Sequence, residues 1–136
     1  MRNKFDIKEP DVALRELQKV DPALGMVLYY FIMYADVHNL PVNITSISSK
    51  EVGRKSRTHE EFRAVDISAR LWNDEHCATI TKRINEIYKP FGTAPVNRPT
   101  RVVVYHDAGS GRHFHLQVRR NIRLTDSSIK GIFKLK

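Results

Sequence analysis

The stretch THEEFRAVDI, residues 58–67, places a histidine and an aspartate seven positions apart where a strand pattern begins. In its second half Val65 and Ile67 alternate with Asp66, which predicts a short strand with one apolar face and a carboxylate on the other. His59 precedes this strand in the sequence, and we expect it to lie on a loop. A carboxylate on a strand and a histidine on a neighbouring loop can form two corners of a metal site.

A second group of histidines lies farther along the chain, in the tripeptide His113-Phe114-His115. On a strand, residues i and i+2 share a face, so this pattern predicts both imidazoles on one side of a sheet and Phe114 in the core. Catalytic zinc sites use three nitrogen or oxygen ligands and leave a fourth position for water. His59, Asp66 and His115 would meet that requirement.

Together the two motifs resemble those of a known family. His-x-x-x-Arg-Ala-Val-Asp-Ile at residues 59–67, followed by His-x-His at residues 113–115, is similar to the pattern of zinc peptidases that cut bacterial cell-wall peptides. These are the D-alanyl-D-alanine carboxypeptidases and dipeptidases and the L-alanyl-D-glutamate endopeptidases, phage endolysins among them. The hedgehog N-terminal signalling domain has a similar fold and ligand pattern. The resemblance runs from about Pro22 to Val118 and includes Val42–Ser46 as the strand before the first ligand.

The resemblance implies both an activity and a site. The activity is that of a zinc metallopeptidase, a carboxypeptidase or an endopeptidase, acting on D-Ala-D-Ala or L-Ala-D-Glu bonds in peptidoglycan stem peptides. The implied cofactor is Zn²⁺, held by His59, Asp66 and His115. His113 is then a neighbour in the site that holds a proton or steadies the oxyanion.

The catalytic base is one position where this sequence departs from the family. The family usually has an acidic residue a few positions before the last ligand, often three, and three positions before His115 this chain has Arg112. Asp107 is the first candidate for the base, because it is acidic and lies at a strand–turn boundary, and His113 is the second. Glu60 and Glu61 lie beside the first ligand and could also enter the site.

Binding of the substrate carboxylate is predicted to fall to arginine side chains. The family often carries such an arginine just after the strand that precedes the first ligand, and residues 47–49 contain none. Arg54, Arg57 and Arg112 are the candidates that remain, because a guanidinium can bind a carboxylate through two parallel hydrogen bonds.

Length and composition predict one domain over residues 1–136, with a body at about 10–120 and a basic C-terminal tail at 121–136. Hydrophobic residues at 41% and charged residues at 28% are typical of a globular protein. The single cysteine, Cys77, excludes a disulfide framework and a cysteine-rich zinc site, so a packing role is expected for it.

The formal charge of +8 favours anionic partners. In the context of the resemblance we expect bacterial peptidoglycan as the partner, with the basic tail holding the enzyme on the wall. We expect no stable nucleic-acid partner, no membrane insertion, and a monomer. Residues 1–10 have no apolar segment typical of a secretion signal, so we expect synthesis in the cytoplasm and phage-type release to the cell wall or periplasm.

The periodicity predicts a small α+β domain with the hedgehog/DD-peptidase-like zinc fold implied by the resemblance. We expect an antiparallel sheet of about four strands, near residues 42–48, 63–68, 101–107 and 113–118. Its apolar face should pack on helices at 22–38 and 74–89, with a further helix from Asp11 to about Val20. The zinc is expected on the other face, in an open cleft.

Two other functions fit parts of the sequence. His106, His113 and His115 resemble the three-histidine metal cluster of relaxases and related single-strand DNA endonucleases, in which a tyrosine attacks DNA. In this chain the tyrosines that come early enough are on the first long helix: Tyr29, Tyr30 and Tyr34. The other alternative is a zinc-binding interaction domain without turnover, as in hedgehog.

Overall fold

A computed structural model describes residues 5–7, 17–47, 63–92, 101–107, 111–120 and 122 of the chain. In chain order the elements are β1 (Phe5–Ile7), α1 (Pro22–Val37), β2 (Val42–Ser46), β3 (Ala64–Ser68), α2 (Asp74–Ile87), a 3₁₀ turn (Lys89–Phe91), β4 (Val103–Asp107) and β5 (Arg112–Gln117). The α+β prediction is confirmed. Among the described residues, no helix is long and apolar enough to cross a membrane.

The strands form one sheet in the order β1-β2-β3-β5-β4. The four predicted strands are present and pair with one another in antiparallel fashion, with bounds within a few residues of the prediction. A fifth strand, β1, which was not predicted, lies at the edge of the sheet and runs parallel to β2. The helix predicted from Asp11 to Val20 lies for the most part outside the described residues.

Helix α1 begins at a proline-containing cap. The Asp21 carboxylate accepts a hydrogen bond from the Ala23 backbone N–H at 2.9 Å, and Pro22 occupies the first turn, where its missing N–H costs nothing. The helix ends before Asn39, whose φ of 59° is left-handed, a conformation that asparagine tolerates better than most residues. The predicted start and stop of this helix are therefore confirmed.

Helix α2 is capped by Asn73, whose side chain accepts a hydrogen bond from the His76 backbone N–H at 2.8 Å. Asp74 and Glu75 lie in its first turn, where negative charge interacts favourably with the helix dipole. Cys77 is buried on the inner face, and burial raises the pKa of its thiol, as expected for a packing residue.

The core lies between the helices and one face of the sheet, and three aromatic rings form its centre. The ring centroids of Phe31 on α1, Trp72 before α2 and Phe114 on β5 are each 5.1 Å apart. All three side chains are almost fully buried, and the Trp72 indole N–H donates to the Pro41 carbonyl at 2.8 Å. Because Phe114 points to the helices, His113 and His115 lie on the opposite face of the sheet, as predicted.

A side chain of α2 forms hydrogen bonds with the backbone at the start of β4. The Asn85 amide N–H donates to the Val103 carbonyl at 3.1 Å, and its oxygen accepts from the Val102 and Val103 N–H groups at 2.7 and 2.9 Å. One side chain thus satisfies three backbone groups and joins the helix to the sheet.

We expect Asn85→Ala to lower the free energy of unfolding by about 1–3 kcal/mol, because it leaves partly buried backbone groups without their partner. Urea unfolding followed by circular dichroism measures this. Glu86→Ala, at the exposed neighbouring position on the same helix, is the matched control and should change stability little. Equal stability of the two variants would contradict this role for Asn85.

Candidate metal centre

The register of β3 and β5 brings two of the predicted ligands together. Asp66 is paired directly with His115, and Ser68 with His113. On the other side of β5, His113 is paired with His106 of β4. Directly paired residues project from the same face, so these side chains share the sheet face that points away from the helices.

Asp66 and His115 are in direct contact. The Asp66 Oδ1 and His115 Nδ1 atoms are 2.8 Å apart, and the side chains are only 11% and 15% exposed. The second ring nitrogen, Nε2, is 3.0 Å from the Oε1 atom of Gln117. The two side chains are therefore more enclosed than expected for the open cleft that the sequence predicts.

A β-bulge lies next to Asp66. Ile44 is paired with Ile67 and Ser46 with Asp66, so Thr45 is an extra residue in β2. The Thr45 hydroxyl donates to the Asp66 carbonyl at 3.3 Å. Bulges change the local direction of a strand and are common beside functional sites.

A hydrogen bond to the backbone fixes the orientation of the His113 ring. Its Nδ1 atom is 3.1 Å from the Gly111 carbonyl oxygen, which can only accept a hydrogen bond, so Nδ1 carries the proton. Nε2 is then the ring nitrogen that can accept a proton. Gly111 has a φ of 113°, a conformation that strongly favours glycine. The ring also lies against that of His106, with centroids 3.9 Å apart.

The donor set of the pair fits a zinc ion in part. A carboxylate oxygen and an imidazole nitrogen are both normal zinc ligands, and here they meet in a mostly desolvated position. The third predicted ligand, His59, lies outside the described residues. Within the part of the chain that the structure describes, no cluster of three or more histidine, cysteine, aspartate or glutamate side chains is arranged to hold a metal.

Of the three predicted substrate-binding arginines, the structure describes Arg112. Arg112 extends toward the helices, where its guanidinium donates to the Asp74 carboxylate at 2.7 Å and to the Trp72 carbonyl at 2.9 Å. It also contacts the Tyr105 hydroxyl at 3.4 Å, and desolvation raises the pKa of that hydroxyl. Arg54 and Arg57 lie outside the described residues.

Asp107, the first candidate for the base, lies at the end of β4. Asp107 is paired with Arg112 at the end of β4, one position away from the His106–His113 pair. Successive residues of a strand alternate between faces, so position 107 falls on the side of Tyr105 and not on the side of the histidines.

The arrangement also bears on the DNA endonuclease alternative. Helix α1, which carries its candidate tyrosines, packs on the Phe114 face through Phe31, so the sheet separates it from the histidines. Tyr34 is buried and hydrogen bonded to His76 at 2.8 Å, whereas Tyr29 is 66% exposed. No described tyrosine of this helix is near the histidine face.

Gln117 is the site residue that sequence reasoning missed. A signal for it existed, because Gln117 follows His115 by two positions and must share its face on a strand. The bulge at Thr45 had no such signal, because it depends on the pairing of β2 with a distant strand.

Comparisons with protein-family models, with curated proteins and with solved structures found no match for this chain.

We expect Arg112→Gln to lower the thermal midpoint, because it removes the ion pair with Asp74 and the hydrogen bond to the Trp72 carbonyl. Zinc affinity should be unchanged, because the guanidinium points away from the Asp66–His115 pair. Thermal unfolding and a chelator-competition titration measure the two effects. Arg120→Gln is the control for loss of one positive charge. Unchanged stability together with weaker zinc binding would contradict the placement of Arg112.

Proposed function

We propose that this protein is a zinc-dependent peptidase that hydrolyses stem-peptide bonds of bacterial peptidoglycan, of the D-Ala-D-Ala or L-Ala-D-Glu type. The observation that carries the proposal is the contact between Asp66 and His115 across β3 and β5. These are two of the three ligands that the family resemblance implies, and they meet although they are 49 positions apart in sequence. His59, seven residues before Asp66, is proposed as the third ligand.

The chemistry that a bound zinc ion supplies in such sites is activation of a water molecule and polarisation of the scissile carbonyl. The chain itself must supply a base and a donor for the developing oxyanion. His113 suits either role, because its Nδ1–H is fixed on the Gly111 carbonyl and its Nε2 can take a proton or give one back. Asp107 is the alternative base.

The net charge of the chain suits a substrate peptide with carboxylate groups. The chain carries a net charge of +8, and a positive field raises the local concentration of an anionic substrate. Arg54 and Arg57 are the proposed carboxylate binders, since Arg112 is engaged with Asp74. The proposed place of action is the bacterial cell wall, where the basic tail at 121–136 would add to binding.

The direct test is a digest of purified peptidoglycan with the zinc-loaded protein, analysed by mass spectrometry. We expect new peptide fragments, whose masses and ends name the bond that is cut. His59→Ala should produce none, because it removes a proposed ligand. A protein that holds zinc and leaves peptidoglycan unchanged would contradict the proposal and favour a zinc-binding domain without turnover.

The same digest separates the two candidate bases. We expect His113→Gln to slow cleavage by roughly 10²- to 10⁴-fold, the usual contribution of general acid–base catalysis, with zinc still bound. Asp107→Asn should have a smaller effect, because its register position lies on the other side of the sheet. The opposite order, with loss of cleavage in Asp107→Asn alone, would assign the base to Asp107.

A further inference from the structure

Both ring nitrogens of His115 have an oxygen partner. Nδ1 is 2.8 Å from Asp66 Oδ1, and Nε2 is 3.0 Å from Gln117 Oε1. Gln117 lies on the same face of β5 as His115, two residues farther along, and is half-buried. The orientation of the ring is therefore fixed from two sides, by the Asp66 carboxylate on β3 and by the Gln117 amide on its own strand, β5.

The two partners do not have equivalent consequences for metal binding. A neutral imidazole carries one N–H, and only the other nitrogen can ligate a metal. The Asp66 carboxylate and the Gln117 amide oxygen are both acceptors, so a neutral ring can donate a hydrogen bond to only one of them at a time. An ion bound by Asp66 and Nδ1 would take the place of the proton between them, and the contact with Gln117 would then hold the remaining proton on Nε2.

We propose that Gln117 is a positioning residue of the zinc site, which holds His115 in the Nε2–H form so that Nδ1 and the Asp66 carboxylate bind the same ion. This inference rests on the proposed function. Partners of this kind fix the tautomer and the orientation of a ligating histidine.

The choice of a neutral amide at this position has its own consequence. A carboxylate there would draw the Nε2 proton toward itself and make the imidazole a more electron-rich ligand. The amide of Gln117 orients the ring without adding negative charge. The ion would then keep more of its Lewis acidity for the substrate.

Three variants test the inference through zinc affinity, measured by competition with a chromogenic chelator. Gln117→Leu should weaken zinc binding by about 10- to 100-fold, the usual effect of removing such a partner. Gln117→Glu keeps an acceptor oxygen and should restore affinity close to the wild type. Asn43→Leu is the matched control, because it makes the same kind of amide-to-leucine change on the same face, opposite Ser68.

The ligating nitrogen can be identified independently. In protein loaded with ¹¹³Cd²⁺ and labelled with ¹⁵N, we expect scalar coupling from cadmium to His115 Nδ1 and a proton on Nε2. Coupling to Nε2 would overturn the inference, as would equal zinc affinity of Gln117→Leu and the wild type. A wild-type protein that binds no zinc would instead refute the proposed function, so the two failures are distinguishable.

Discussion

The register between β3 and β5 is the constraint on which the site and the core both depend. In this register Ile67 is opposite Phe114 on the helix side, and Asp66 is opposite His115 on the other. A shift by one residue would turn every side chain of one strand to the wrong face. It would move Asp66 into the apolar core, where an unpaired charge costs several kcal/mol. The packing of Phe114 therefore also determines the geometry of the Asp66–His115 pair.

Strand β5 serves two purposes through its alternating residues. Arg112, Phe114 and Leu116 face the helices and hold the sheet against them. His113, His115 and Gln117 form the candidate site on the opposite face. The site is thus built on a strand that is paired on both sides, and its side chains are placed by the core and not by a loop. Precise placement of this kind is what a metal centre requires.

The sequence predicts the elements whose apolar residues recur at a regular spacing. The two long helices and four of the strands follow from the spacing of their apolar residues. Strand β1 has three residues, Phe5–Ile7, too few for a period to be read. The partner of Arg112 could not be predicted, because Asp74 is 38 positions away and the contact depends on how α2 meets the sheet. The sequence predicts that Asp66 and His115 belong to one site, but it does not predict their direct contact.

The bonding of Asn85 to β4 has a consequence for association between molecules. Within the described sheet β4 is the last strand, and such a strand offers open N–H and C=O groups to any other extended chain. The Asn85 amide occupies the donor and the acceptor of Val103, as a neighbouring strand would. A single side chain thereby shields part of this edge from strand addition by a second molecule, a route by which β-proteins aggregate.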